Sequence, residues 1–443
     1  MSLGLYKINI KMARNERHNK LKAARRHIFV TASLITFLLV LVDCASIPSH
    51  RVAVVPIDQF QAFSGPNGKK ITPESVDDTI PDVDILALGS EIKSVLDESV
   101  IPIRDSKKRL DEIVKILIQK VRYTTEEDRY GAKTAQETFD TGTGNCLSFS
   151  NLFVAMARYA GLKTEFQEIP TPPNWIRNGE VLFFTRHIGA SIDIVSPMDQ
   201  TVQLYVLGEN RVMVHDNIQR YLFTPSQLDP FAPEINPFSI RPIPDHRAFA
   251  QYYNNIGSQY LAEGDATDAF RYFVKAVKID PKLSFAWSNL GVVYNRNNQV
   301  KAAKAAFFQG MSVTHGPDDV TLLTIMSNMA RLYKKIGDTE KAEFYKKEVA
   351  SFREKNPYYQ YAIAKTAYHD RFYEKSVKYY KAAIQRKNDE HLFYYGLALA
   401  YLKLGEIKKA EKNLDKAKHY AWDDENKAYY DRLREKLFKR VSN

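Results

Sequence analysis

A short repeat in the C-terminal half of the chain limits the possible folds more than any other sequence feature. Small residues recur there with a period of about 34 residues, and one interval is longer. The first set is Gly257, Gly291, Ala330, Ala364 and Ala398, and a second set in the same register is Ala269, Ala303, Ala342, Ser376 and Ala410. Small residues at a fixed period allow paired helices to cross closely, and about three such units are needed for a stable stack. The pattern predicts an all-α solenoid of five repeats over residues 250–424, with residues 425–443 as a capping helix.

This period, with aromatic residues between the small positions, resembles the tetratricopeptide repeat (TPR). The resemblance implies that the solenoid binds a protein or peptide partner in its groove. Asn255, Asn289 and Asn328 recur at one position in the first helix of their repeats. Their amides are expected to hydrogen-bond the backbone of a bound peptide. The alternative is that asparagine at this position has no role in ligand binding.

The segment Gly142-Thr143-Gly144-Asn145-Cys146 is the strongest candidate for a chemical site. Asn145 is the predicted N-cap of a helix that begins at Cys146 and ends before Gly161. One apolar face is predicted for this helix, formed by Phe149, Phe153, Met156 and Ala160. Cys146 would then lie at the positive end of the helix dipole, which lowers a thiol pKa from about 8.5 toward neutrality. A small buried cysteine with a structural role is the alternative.

The residues around this cysteine resemble the nucleophile region of the transglutaminase-like superfamily. The matching segments are Thr134-Ala135-Gln136-Glu137-Thr138-Phe139, Gly142-x-Gly144-x-Cys146 and Leu152-Phe153-x-Ala155-Met156-Ala157-Arg158-x-Ala160-Gly161-Leu162. The resemblance implies an α+β transglutaminase-like (papain-like) domain with a Cys-His-Asp site. Such a site transfers an acyl group from an amide, as a peptidase, an amidase or a crosslinking enzyme does.

The same resemblance implies the partners of Cys146. His187 is the expected general base, which accepts the thiol proton and later protonates the leaving amine. A strand histidine with a structural role is the alternative. Asp216 follows another predicted strand and is the expected third member, with Asp199 and Asp193 as further candidates.

An oxyanion formed at this site would be stabilised by the backbone N–H of Cys146. Gln136 is a candidate second donor, and a solvent-exposed helix residue is the alternative for it. We find no motif for a metal site or a phosphate-binding loop. The expected chemistry needs neither a metal nor a cofactor.

The net charge of +11 says little about partners because much of it is concentrated at the N-terminus. Residues 1–44 contain eight Lys/Arg and two Asp/Glu, and the rest of the chain has a net charge of +5. This balance does not indicate nucleic acid as a partner.

The N-terminus is predicted to be a targeting segment. The apolar run from Ile28 to Val42 is shorter than the roughly 20 residues of a membrane span and is typical of a signal peptide. Leu41-Val42-Asp43-Cys44 resembles the lipidation signal of bacterial lipoproteins, with an uncleaved anchor or an ordinary signal peptide as alternatives. We expect an exported protein, either an outer-membrane lipoprotein facing the periplasm and held by Cys44 or a periplasmic protein. Cys146 is the only other cysteine.

The remaining segments are expected to connect these units. Residues 45–104 are predicted to be a tether with minor structure, residues 105–222 the α+β domain, and residues 223–249 a proline-rich linker. The expected function is a cell-envelope thiol enzyme that acts on amide bonds while its repeats bind a protein partner. The alternative is a catalytically silent adaptor for envelope protein assembly.

Overall fold

A computed structural model describes residues 55–65, 68–123, 131–169, 176–178, 181–183, 187–195, 201–207, 211–215, 241–314, 320–421 and 424–438. Residues from Val52 onward form one unit, in which an α+β half is followed by pairs of helices. Among the described residues, no helix combines the length and the apolar character needed to cross a membrane. Residues 1–44, the predicted targeting segment, lie outside the described residues.

The helices of the α+β half precede its main sheet. Their bounds are α1 Ser90–Ser99, α2 Ser106–Lys120, α3 Ala135–Thr141 and α4 Cys146–Tyr159. Helix α2 begins after Asp105, because Asp105 accepts a hydrogen bond from the Lys108 backbone N–H at 2.8 Å and caps it. Its apolar residues Leu110, Ile113 and Leu117 are buried, and α2 packs beside α4.

The strands of this half form short pairs and one larger antiparallel sheet. The short pairs are β1 Phe63–Ser64 with β2 Lys70–Ile71, β3 Arg122–Tyr123 with β4 Thr143–Gly144, and β6 Ile176–Asn178 with β7 Val181–Phe183. The sheet contains β5 Lys163–Ile169, β8 His187–Val195, β9 Thr201–Leu207, β10 Arg211–His215 and β11 Arg241–Ile243. Its strand order is β10-β9-β8-β5-β11. Strands β9 and β10 form an antiparallel hairpin, and β5 pairs with β8 along its whole length.

Helix α4 is the central helix of this half. It contacts β5 and β8 of the sheet as well as α2 and α3. All residues from Leu147 to Ala157 are therefore buried, including the polar residues Ser148, Ser150 and Asn151. The prediction of a single apolar face is wrong in this respect, because neighbours surround the helix and leave no solvated face along its middle.

Helix pairs make up the second half of the described chain. They are α5 Asp245–Glu263 with α6 Ala266–Ile279, α7 Ser284–Arg296 with α8 Val300–Ser312, α9 Val320–Lys335 with α10 Thr339–Lys355, α11 Pro357–His369 with α12 Tyr373–Arg386, and α13 His391–Lys403 with α14 Ile407–Tyr420. A final helix, α15 Asp424–Phe438, packs on α14. We call the first helix of each pair its A helix and the second its B helix.

The small residues of the repeat lie where the two helices of a pair cross. A Cβ atom at Gly257 would lie 2.9 Å from the ring of Phe273, and one at Gly291 would lie 2.5 Å from the ring of Phe307. Both distances are shorter than side chains tolerate. Glycine is therefore required at these two positions because an aromatic ring of the B helix occupies the space.

Residues 55–85, which we call the arm, pack against the first two helix pairs instead of forming the predicted tether. Phe63 of the arm is fully buried, and its ring stacks on that of Phe270 in α6 at 4.8 Å. Gln299 pairs with the arm much as a neighbouring strand would. Its Oε1 accepts from the Ser64 N–H and its Nε2 donates to the Ala62 carbonyl, both at 2.8 Å.

Ion pairs also hold the arm on helix α6. Lys275 Nζ lies 2.5 Å from Asp82, and Lys278 Nζ lies 2.6 Å from Asp77. Buried apolar residues and paired acidic residues of the arm thus both contact α6, which explains why this weakly patterned segment packs on the repeats.

The end of the predicted linker also belongs to the folded unit. Strand β11 pairs with β5 at the edge of the sheet, and α5 begins two residues later at Asp245. Arg158, in the last turn of α4, donates to both carboxylate oxygens of Asp245, at 2.5 and 2.9 Å. This ion pair raises the pKa of Arg158 through the hydrogen bond from its guanidinium to Asp245. The α+β half and the helix pairs are thus joined by a sheet edge as well as by the chain.

Candidate active site

Local backbone chemistry holds the start of α4. Asn145 Oδ1 accepts a hydrogen bond from the Ser148 N–H at 3.0 Å, as predicted for an N-cap. Gly142 has a positive φ of 63° at the end of α3, and Gly161 has one of 76° after α4, conformations that favour glycine. Cys146 is consequently the first residue of α4, where the helix dipole is positive, and it is half-buried.

A short segment, residues 131–134, packs on the first turns of α4, and we call it the thiol loop. Asn145 Nδ2 donates to the Gly131 carbonyl at 2.9 Å, and the Lys133 N–H donates to Ser148 Oγ at 2.9 Å. Asn151 Nδ2 donates to the Lys133 carbonyl at 3.0 Å. Buried polar groups are costly when they lack partners, so these bonds explain how polar residues are accommodated at the start of the helix.

Ser150 connects the cysteine helix to the strand that contains the predicted base. Its Oγ lies 2.8 Å from the carbonyl oxygen of Cys146 and 3.0 Å from that of Ile188, so the hydroxyl can donate to either. Ile188 directly follows His187, the first residue of β8. The side chain of His187 lies outside the described residues, but its backbone pairs with Ile169. The start of β8 is therefore held against the first turn of α4.

Sheet register constrains the choice of the third member of the triad. Asp193 lies six residues along β8 from His187, about 20 Å away at the rise of an extended strand. Asp216 and Asp199 lie outside the described residues. His215, the residue before Asp216, pairs with Gln203 on β9. The next β9 residue, Val202, pairs with Ile194, which lies at the end of β8 away from His187. The strand register therefore favours none of the described positions as the acid beside His187.

Gln136 has a different environment from the one predicted. Its Oε1 accepts a hydrogen bond from the Gly89 N–H, and its Nε2 donates to Asp140 at 2.7 Å. A Cβ atom at Gly89 would collide with this amide. Gln136 thus holds the start of α1 against α3, a structural role, and its predicted role as an oxyanion donor stays a prediction.

The three repeat asparagines lie on successive A helices. Asn255, Asn289 and Asn328 are half-buried on α5, α7 and α9. Asn289 Nδ2 donates to Asn254 Oδ1 on the preceding A helix at 3.0 Å, so its amide also takes part in packing between repeats. Their predicted role in peptide binding is untested by these contacts.

Two further features complete the description of the site. Within the described ranges, no three His, Cys, Asp or Glu side chains are grouped as a metal site requires. Sequence analysis did not identify Ser150 or the thiol loop as parts of the site. The sequence does contain one indication of them, because Ser148, Ser150 and Asn151 lie inside an otherwise apolar helix and need polar partners.

Comparison with protein families agrees with these two halves. Residues 94–181 match the model of the transglutaminase-like superfamily, and residues 250–283 and 392–418 match tetratricopeptide repeat models. The chain contains a transglutaminase-like domain followed by tetratricopeptide repeats. Residues 94–104, predicted to be part of the tether, belong to the matched range of the transglutaminase-like domain.

Individual proteins are similar over smaller parts. The uncharacterised protein MJ0572 of Methanocaldococcus jannaschii is 31% identical over 64 residues, which are 14% of this chain and 74% of that protein. MamA of Desulfovibrio magneticus RS-1 is 16% identical, with a TM-score of 0.21 and coverage of 39% of this chain and 94% of that one. The Cut9–Hcn1 hetero-tetramer of APC/C gives 15%, a TM-score of 0.23, and coverage of 44% of this chain but only 37% of that one.

Proposed function

We propose that this protein is a thiol enzyme that acts on amide bonds through Cys146 and His187. The observation that supports this most is the position of Ser150 Oγ between the Cys146 and Ile188 carbonyls. It ties the first turn of the cysteine helix to the strand residue that follows His187. A general base must come within hydrogen-bond reach of its nucleophile, and this backbone arrangement is compatible with that requirement.

In the proposed reaction, the thiol of Cys146 attacks the carbonyl carbon of an amide while His187 takes the thiol proton. The negative charge on the tetrahedral oxygen is stabilised by the N-terminus of α4, whose backbone N–H groups and dipole favour an anion. The amide C–N bond then breaks, and His187 gives its proton to the leaving amine. Water or a second amine attacks the thioester, which gives hydrolysis or amide transfer and restores the thiol.

We further propose that the repeats bind a protein partner. Their family supports a role in protein–protein interaction, and the A helices present a continuous set of partly exposed residues. The described helix pairs are joined to the transglutaminase-like domain through β11 and through the Arg158–Asp245 ion pair. A partner bound to the repeats would therefore be held at a fixed position relative to Cys146.

Export and lipid anchoring through Cys44 are part of this proposal and rest on the sequence. Metabolic labelling with a fatty-acid probe tests them: the native protein should incorporate the probe and Cys44→Ala should not. Incorporation that persists in the variant, or none in the native protein, would argue against a lipoprotein.

The catalytic proposal is tested by acylation with p-nitrophenyl acetate, a reactive acyl donor that requires no specific binding site. The native protein should release nitrophenol in a rapid burst that matches the protein concentration, the kinetic sign of an acyl-enzyme. Cys146→Ala should abolish the burst, and His187→Ala should slow it by about a hundredfold or more. If both the native protein and His187→Ala react slowly, as an ordinary thiol does, the protein is a non-enzymatic adaptor instead.

A further inference from the structure

The A helices of the first three repeats carry a continuous row of half-buried and exposed residues. On each of them, residues three or four positions apart remain half-buried or exposed, and the repeat asparagine lies within this set. We call these residues the A-helix stripe: Asn255, Gln259 and Ala262 on α5; Phe285, Asn289, Val292 and Arg296 on α7; and Thr324, Asn328, Arg331 and Lys335 on α9.

Hydrogen bonds between neighbouring A helices make this stripe one surface. Arg296 Nη1 donates to the Leu261 carbonyl at 3.0 Å, and Lys335 Nζ donates to the Asn295 carbonyl at 2.7 Å. The basic residue at the end of one A helix thus binds the end of the preceding one, at the same place in each repeat. The spacing of the asparagines along the stripe is fixed as a result.

The opposite side of α7 is already occupied. Trp287 and Tyr294 lie about 180° around the helix from the stripe and are fully buried beneath the arm. The ring of Phe60 lies 4.9 Å from that of Trp287, and Tyr294 donates to the Gln61 carbonyl at 2.6 Å. The arm therefore packs on the other side of α7 and does not cover the stripe.

The stripe meets the thiol site at its first helix. A Cβ atom at Gly131 of the thiol loop would lie 3.3 Å from Gln259 Oε1, so the loop touches the stripe on α5. The Gly131 carbonyl also accepts the hydrogen bond from Asn145, the neighbour of Cys146 in sequence. One residue thus contacts both the A-helix stripe and the N-cap of the cysteine helix.

Tyr252 gives further evidence that α5 faces the transglutaminase-like domain. Tyr252 lies one turn before Asn255 on this helix and is buried. Burial, and to a smaller extent the carboxylate of Glu137 on α3, raises the pKa of Tyr252. The face of α5 that carries Asn255 is therefore oriented toward the domain that contains Cys146.

We propose that the polypeptide bound by the A-helix stripe is itself the substrate of Cys146. This inference rests on the proposed function and adds the substrate class: an extended polypeptide rather than a small amide. Side-chain amides offer one acceptor and two donors, which is the complement of a peptide backbone. Asn255, Asn289 and Asn328 bind that backbone, and the chain continues past Gln259 and the thiol loop to the cysteine.

The geometry sets a length requirement. Neighbouring packed helices are about 10 Å apart, so α5 and α9 are separated by about 20 Å. An extended chain covers this distance with about six residues. A substrate must therefore extend well beyond the reacting amide in order to use all three asparagines.

The test uses pools of randomised peptides that carry a chloroacetyl group, which alkylates a thiol. Peptides of three residues are compared with peptides of twelve. One set carries the chloroacetyl group on the amino terminus, and the other carries it on a lysine side chain at the carboxyl end, so that both chain directions along the stripe are tested. In at least one set, the long peptides should alkylate Cys146 of the full-length protein about tenfold faster than the short ones. This gain should be lost in the double variant Asn289→Ala, Asn328→Ala.

Iodoacetamide, a probe too small to reach the stripe, separates this inference from the proposed function. It should alkylate the double variant as fast as the native protein, and thermal melting checks that the variant is folded. Asn413→Ala is the control and should retain the full length effect, because Asn413 lies on α14 outside the stripe and its amide donates to the Lys409 carbonyl of its own helix. Equal rates for short and long peptides, or a length effect that survives in the double variant, would overturn the inference even if iodoacetamide alkylation still depends on His187.

Discussion

Ser150 is the residue on which the geometry of the proposed site depends. It is one helical turn from Cys146 and is fully buried, and its hydroxyl contacts a backbone carbonyl of α4 and one of β8. A hydroxyl in this position limits how far the strand can move from the helix. We regard it as a positioning residue, because it contacts backbone and not the reacting atoms.

The variant Ser150→Ala should lower the acylation rate by about tenfold to a hundredfold, because small misplacements of reacting groups are costly. It should also lower the free energy of unfolding by about 1–2 kcal/mol. Ser376→Ala is a matched control, since Ser376 is equally buried and donates to the Ala364 carbonyl far along the repeats. Acylation kinetics and thermal melting are measured together. A rate that is unchanged in Ser150→Ala, or reduced equally in Ser376→Ala, would exclude the positioning role.

The sequence was informative about the cysteine and much less so about its acid partner. Asn145 and Gly161 mark the ends of α4 by local chemistry, so the position of Cys146 at the helix start could be predicted. The acid depends on the register between strands, and no local pattern encodes that register. The pairing of Val202 with Ile194, which places the β9–β10 hairpin beside β8, is visible only in the sheet.

At the scale of secondary structure, the repeats show why small residues predict helix pairs so well. Gly257 and Gly291 face aromatic rings of their B helices. Each of these glycines therefore marks a point where the two helices of a pair cross. The burial of α4 could not be predicted in the same way. Its apolar pattern indicates one buried face, whereas burial of the opposite face depends on contacts with α2 and α3.

Gly291→Ala should destabilise the protein by about 1–3 kcal/mol, because the new methyl group overlaps the ring of Phe307. In an unobstructed helix the same change would stabilise by about 1 kcal/mol. Thermal melting and urea unfolding measure the difference. Asn413→Ala, which removes an amide that bonds within α14, should be nearly neutral. A stabilised Gly291→Ala variant would show that this crossing is looser than the structure has it.

Glu390, at the start of α13, should make stability depend on pH. Burial raises the pKa of its carboxyl group, and Tyr358 donates to it at 3.0 Å. Because the folded chain then holds a proton that the unfolded chain loses, stability falls as pH rises from the ordinary glutamate pKa through the raised one.

Glu390→Gln should therefore gain stability relative to the native protein as pH rises above the ordinary glutamate pKa of about 4.3, with the two melting temperatures converging in acid. The same change at the exposed residue Glu374 on α12 is the control and should show no such trend. A Glu390→Gln variant that becomes relatively less stable toward neutral pH would contradict this sign.

At the scale of the whole molecule, segments outside the two predicted domains join them. The arm covers the first two repeats, strand β11 extends the sheet, and the Arg158–Asp245 ion pair links α4 to α5. Proline-rich and weakly patterned segments are predicted to be linkers because their own pattern indicates no element. Their order here comes from partners that are distant in sequence, such as Gln299 and Phe270.

Phe63→Ala should lower the free energy of unfolding by about 3–5 kcal/mol, because a fully buried ring against Phe270 is lost. The arm should then be cleaved faster in limited proteolysis. Phe372→Ala, which removes a largely exposed ring between α11 and α12, is the control and should change neither. Unaltered proteolysis of the arm in Phe63→Ala would mean that the arm is held by other contacts.

The central claim is that Cys146 and His187 form one catalytic pair, and the most direct test is titration of the thiolate by its ultraviolet absorbance. In the native protein the thiolate should form well below the ordinary cysteine pKa of about 8.5, because an imidazolium beside it favours the charged form. In His187→Ala the midpoint should rise toward the ordinary value, whereas in His419→Ala, which changes an exposed histidine of α14, it should not move. Superimposable titration curves for the native protein and His187→Ala would contradict the account.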